Sequence, residues 1–190
     1  MWGLLALMCL GCGLRSDPPP PGPGWERGGI PELRGARVLL LPVQAVAGAG
    51  SEVDAELHFA LREAGPSVHW LAGEELDEIA ERAGRLGAEP RNLPVGIFEM
   101  GEVERVGDPL FGALYRLAAM TDASFALLPI TARIRTDADG RVRASLNAVL
   151  LDPRSGRVLW QGILEGDPGE PGSPVAVASM AEKVAARLLP

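Results

Sequence analysis

Metal binding and acid–base or nucleophilic catalysis draw on histidine, cysteine and clustered carboxylates, and this chain is short of the first two. His58 and His69 are its only histidines, and Cys9 and Cys12 are its only cysteines. His58 stands between Leu57 and Phe59 in an expected helix, and His69 stands beside Trp70 in an expected strand. No third ligand at a suitable spacing completes a zinc site around them. No serine sits in the Gly-x-Ser-x-Gly turn that exposes a hydrolase nucleophile. Asp137-Ala138-Asp139-Gly140 starts like a calcium loop, but the bidentate glutamate that such a loop needs at its twelfth position is missing. It reads as a turn. The expectation is therefore no metal, no cofactor and no catalysis. The one enzymatic alternative places the carboxylates Glu99, Glu102 and Glu104, in the irregular stretch 88–107, around a pocket.

Charged side chains offer the other chemistry. Glu74, Glu75, Asp77, Glu78 and Glu81 crowd the start of one helix, where acid complements the helix dipole, so a solvated face explains them. Arg133, Arg135, Arg141 and Arg143 fall on one face of two neighbouring strands. Like charges opposed across a sheet are unfavourable unless acids intervene. Glu165 and Asp167 are the acids within reach, and an anionic partner such as an acidic protein surface is the alternative. The 190 residues carry a formal net charge of −7, with Lys183 the only lysine. Nucleic acid is not an expected partner, because neutralising phosphates needs surplus Lys and Arg.

The elements that must position these groups begin after an unusual amino terminus. Trp2 to Leu10 is apolar, far short of the about 20 residues a spanning helix needs. It suits the apolar segment of a secretory signal peptide. Leu10-Gly11-Cys12 resembles the lipobox of bacterial lipoproteins, in which a small residue precedes an acylated cysteine. That resemblance implies a signal peptide over 1–11 and a lipid on Cys12. Asp17-Pro18-Pro19-Pro20-Pro21-Gly22-Pro23-Gly24 lacks amide donors and favours extended polyproline II, so residues 12–33 read as an anchored tether.

A domain is expected over 34–190. Val38-Leu39-Leu40-Leu41 is apolar at every position and suits a strand buried on both faces. Ser51, with Asp54 three residues on, predicts a helix start, and Gly65-Pro66 its end. Val68 to Leu71 is a short strand, followed by a helix from Glu74 to Leu86 closed by Gly87. Asp108-Pro109 opens a third helix that buries Leu110, Leu114, Leu117 and Ala118. Phe125–Arg135, Arg141–Leu151 and Arg157–Glu165 form an antiparallel meander with turns at Asp137–Gly140 and Asp152–Gly156. Ser173-Pro174 opens the last helix. The order β-α-β-α-α-β-β-β-α predicts an α+β fold, a two-layer mixed sheet with helices on one face. Keeping the apolar set of the second meander strand on one face favours pairing Leu150 with Val158 and Ala148 with Trp160. That register sets Arg143 opposite Glu165 and Arg141 opposite Asp167, with Arg133 and Arg135 beside Arg143 and Arg141.

Leu41-Pro42 at the end of the first strand, Ala123-Ser124-Phe125-Ala126-Leu127-Leu128, and Asp152-Pro153-Arg154-Ser155-Gly156-Arg157-Val158-Leu159-Trp160 before an Ala-rich final helix carry a likeness. Together they resemble the envelope-lipoprotein superfamily that includes the curli channel protein CsgG, the penicillin-binding-protein activator LpoB and the amino-terminal domain of TolB. The resemblance covers residues 36–190 and identifies fold more than activity. It implies a non-enzymatic accessory or assembly factor, lipid-anchored in the bacterial envelope, at the outer membrane facing the periplasm. Its partners would be other envelope proteins or further copies of itself. A ring-forming subunit of a secretion or envelope complex, and a peptidoglycan-synthase activator, are the alternatives within that family. The sequence departs from the channel type in having no paired alternating segments with aromatic girdles. It departs from the activator type in the shortness of the tether.

Overall fold

Every residue of Val38-Leu39-Leu40-Leu41 is buried, and this run organises the molecule. The computed structural model describes residues 22–48, 52–83, 89–100 and 103–190. The run lies in β2 (Arg37–Leu40) and just beyond it, preceded by β1 (Glu26–Gly28) and followed by β3 (Ala45–Ala47). Next come α1 (Val53–Ala64), β4 (His69–Leu71) and α2 (Gly73–Ala83). A 3-10 turn at Gly96–Glu99 and α3 (Leu110–Thr121) lead to the meander β5 (Phe125–Thr136), β6 (Val142–Asp152) and β7 (Arg157–Glu165). Helix α4 (Val175–Leu188) closes the chain. Without the short β1 and β3, this is the expected order, and the fold is α+β with a mixed sheet.

The sheet runs β1-β7-β6-β5-β2-β4, with β3 also on β5. β2 is parallel to β4 and β5, and the meander is antiparallel. Helices were expected on one face, but they cover both. Val38 and Leu40 pack with Leu57 and Leu61 of α1 and Met180 and Val184 of α4. Leu39 and Leu41 pack on the other side with Leu114 and Leu117 of α3 and with Phe98. A strand that is apolar at every position requires cover on both sides. On that second face the packed cluster also takes in Val149 and Leu151 of β6, with Val158 of β7 against it.

A bulge in β5 decides which way the end of that strand faces. Ile130 is inserted between Pro129, paired with Ala148, and Thr131, paired with Asn147. Proline has no amide to give the ladder and is tolerated at such irregularities. Before the bulge Leu127 faces α1 and α4; after it Ala132 does. The inserted residue reverses the alternation, so Arg133 and Arg135 turn away from that core.

The meander register lies two residues from the expected one. Leu150 pairs with Trp160, Ala148 with Gly162, Leu146 with Leu164 and Ser145 with Glu165. Leu159 is an extra residue, because Leu151 pairs with Val158. A shift of two preserves which side chains share a face, so the apolar pattern alone could not detect it. Gly162 lies under the Trp160 indole, and a β-carbon there would meet the ring.

The folded part also starts earlier than residue 34. The Gly24 amide donates to the Ile163 carbonyl at 2.8 Å, β1 pairs antiparallel with β7, and Leu33 is buried. The Glu26 carboxylate reaches Arg187 of α4 at 2.7 Å. The expected signal peptide, Cys12, Ser51, Leu86, Gly87 and Glu102 lie outside the described residues. Helix α1 starts beside Glu52 without a side-chain cap, and Asp54 instead accepts the Val43 amide at 2.7 Å.

Candidate functional site

The arginine face was the principal candidate, and the structure brings two of its four members together. Arg135 and Arg143 are paired directly across β5 and β6. Two acids hold them there. Arg143 donates to Asp137 and, at 3.2 Å, to Glu165, while Arg135 reaches Glu165 at 2.9 Å and Asp137 at 3.5 Å. The hydrogen bond from Arg143 holds the Asp137 carboxyl below its ordinary range, and Arg135 adds to the effect. The Arg143 guanidinium is raised in turn, first by the hydrogen bond it donates to Asp137. These four charges satisfy one another.

The other two arginines stand apart. Arg141 lies just before β6 and donates to the Pro168 carbonyl at 2.6 Å. Its expected acid, Asp167, pairs with Lys183 at 2.8 Å instead, and this bond leads the causes that lower the Asp167 carboxyl. Arg133 sits opposite Ser145, is exposed, and makes no ion pair among the described residues. Arg143 keeps its expected acid, Glu165, although the displaced register sets Glu165 opposite Ser145.

The remaining candidates are dispersed. His58 is partly buried on α1, its imidazole lowered first by burial and then by Arg62, and His69 is exposed on β4. Among the described residues no three His, Cys, Asp or Glu side chains gather as metal ligands. Asp137 and Asp139 of the calcium-like turn serve Arg143 and the Arg141 amide. Residues 89–100 and 103–107 are largely core cover, with Leu93, Phe98, Val103 and Val106 buried. Glu99 approaches Thr131 at 3.3 Å, whereas Glu104 pairs with Arg27 at 3.0 Å near β1. Glu104 lines a notch that Glu99 does not.

Two surface features escaped sequence reasoning. One is a notch of about 340 Å³ at the β1/β7 margin, lined by Arg27, Arg105, Arg157 and Gln161. Residues 104–106 lie along β7 beside β1, and Arg105 is directly opposite Arg157 across an isolated bridge. That juxtaposition had no signal in the sequence, because it depends on a loop joining the sheet edge. The other is a groove of about 520 Å³ between the starts of α1 and α4, floored by Ile134, Val142 and Ala176 and flanked by Glu52 and Glu56. Phe59 is 65% exposed on α1 and Met100 83% exposed after the 3-10 turn, both apolar groups facing solvent.

A mixed sheet clad by helices on both faces, with charged margins, defines an α+β domain. No protein-family model matches the chain, and no curated protein does. Among solved structures it is similar to PelC from Paraburkholderia phytofirmans, determined as a dodecamer. The identity is 15%, the match covers 87% of this chain and 95% of that one, and the TM-score is 0.51. The LpoB carboxy-terminal domain from Escherichia coli matches at 15% identity over 72% of this chain and 85% of its own, with a TM-score of 0.45. A lipoprotein from Neisseria meningitidis matches at 16% identity over 80% and 94%, with a TM-score of 0.43. The PelC likeness shows the fold. Among the described residues no helix is long and apolar enough to cross a membrane.

Proposed function

We propose that this chain is a non-enzymatic, lipid-anchored bacterial envelope protein, an accessory or assembly factor that acts through contacts with other envelope proteins and with further copies of itself. The observation that carries the reading is the correspondence of fold, over 87% of this chain, with a protein determined as a dodecamer. Leu10-Gly11-Cys12 behind an apolar run supports the anchor, and the proline-rich stretch supports a tether that holds the domain off the membrane. The anchor faces the periplasm from the outer membrane. Of the four arginines expected to meet a partner, Arg133 and Arg141 are the ones that no acid neutralises among the described residues, so they carry what remains of that role.

The test is fractionation of cells expressing the native protein or Cys12→Ser, with labelled palmitate. Native protein in the membrane fraction carrying label, and unlabelled Cys12→Ser in the soluble fraction, is the expected result. A Cys12→Ser protein that still partitions with membranes contradicts the anchor. The ring-forming version of the reading is favoured over the activator version by that same oligomeric relative, and light scattering of the purified protein distinguishes an assembly from a monomeric adaptor.

A further inference from the structure

We propose that copies of this chain bind one another head to tail, the arginine-lined notch at the β1/β7 margin of one copy receiving the acidic start of α2 at the β4 margin of the next. The inference rests on the self-association proposed above and names its two surfaces. The strand order puts β1 and β4 at opposite margins of one sheet, so these surfaces cannot meet within a molecule.

The notch carries a positive excess: three arginines stand against Glu104, which pairs with Arg27, and Asp152, which faces Arg157 across β6 and β7. Arg105 and Arg157 are exposed and directly opposite each other, an arrangement that like charges disfavour without an intervening anion. Arg105 spends one donor on the Ser155 carbonyl at 2.6 Å, and neither it nor Arg157 reaches a carboxylate within ion-pair distance among the described residues. Arg27 lines the same notch and brings Glu104 with it.

The far margin has the opposite character. Helix α2 begins two residues after β4, and Glu74 and Glu75 in its first turn are exposed. Among the described residues the nearby cations are engaged elsewhere, Arg82 with Glu78 and Arg91 with Asp77 and Asp54. Glu74, Glu75 and Glu81 have no ion pair among the described residues. Both margins end in three-residue strands with an unpaired edge, which a neighbouring copy can approach.

A second copy fits because it brings the missing charge at the right place on each side. Complementary fields orient an encounter between molecules whose overall charge of −7 would otherwise keep them apart. The two surfaces differ, so the contact is heterologous, and a rotation that closes makes a ring.

The test is light scattering of the full chain in detergent across a concentration series, comparing the native protein with Arg105→Glu/Arg157→Glu, with Glu74→Arg/Glu75→Arg, and with all four changes together. Each pair of reversals is expected to weaken association by about tenfold or more, and the fourfold variant to recover it to within about threefold. Glu74→Gln/Glu75→Gln gives an intermediate loss without added repulsion, and circular dichroism establishes that each variant is folded. A native oligomer indifferent to all these changes overturns this contact and leaves self-association standing. A native chain that is monomeric throughout overturns self-association itself.

Discussion

At the scale of single residues, the end of the meander is held by Asp137 and Glu165 bridging Arg135 and Arg143. The Asp137 and Asp167 carboxyls are both depressed by their cationic partners. A carboxyl depressed in the folded state contributes stability above its ordinary pKa, near 3.8, and loses that contribution as pH falls through the lower folded value. Melting temperature is therefore expected to fall on acidification below about pH 4, and Asp137→Asn to flatten that dependence. An unchanged slope in the variant would contradict the role given to Asp137. Gly166 supplies a different test. A β-carbon there would strike the backbone of α4 at Ala176 and Met180, so Gly166→Ala must push the helix off the sheet. The expected loss is about 1–3 kcal/mol, read from urea unfolding.

At the scale of elements, Gln44 joins parts that the chain order keeps apart. Its amide nitrogen donates to the Pro42 and Pro90 carbonyls at 2.6 and 2.9 Å, and its oxygen accepts the Leu93 amide at 2.8 Å. One side chain thus pins residues 89–100 to the break between β2 and β3. Gln44→Ala is expected to cost about 1–3 kcal/mol by leaving these groups unpaired, and to speed hydrogen exchange at Leu93. Protection of Leu93 unchanged in the variant would refute the pin. This joint was illegible in the sequence, where residues 44–50 look like a small Ala/Gly-rich loop. What could be read was whatever has a period or a punctuation mark. Leu110, Leu114 and Leu117 recur at helical spacing, and the Asp, Pro and Gly residues mark both meander turns. Each of those elements stands where the pattern placed it. The register did not follow, since a shift of two residues between β6 and β7 leaves apolar alternation intact while moving the pairing. At the candidate site the expected Arg143–Glu165 pair is present, whereas Arg135 shares that acid and Asp167 goes to Lys183, contacts that alternation does not encode.

At the scale of the whole molecule, the sheet has a basic margin and an acidic one, and the proposed tether precedes β1 at the basic margin. In a closed ring of head-to-tail copies every β1 occupies an equivalent position, so all tethers can leave toward one surface. That geometry suits a protein held to a membrane by one lipid per copy, and it links the proposed anchor to the proposed contact. Raising salt is expected to dissociate the assembly, because exposed charges are screened beyond about 8–10 Å at physiological ionic strength. An oligomer of constant mass from low salt to high would argue for an apolar interface instead, with Phe59 and Met100 the exposed side chains to change first.

Crosslinking in intact cells, followed by recovery of the protein and comparison of the native chain with Cys12→Ser, tests the central claim most directly. The proposed function predicts adducts with further copies or with other envelope proteins from the native chain, and their loss or sharp reduction when Cys12 is replaced. The same adducts from both proteins, or none from either, would contradict an anchored protein that works through contacts at the membrane.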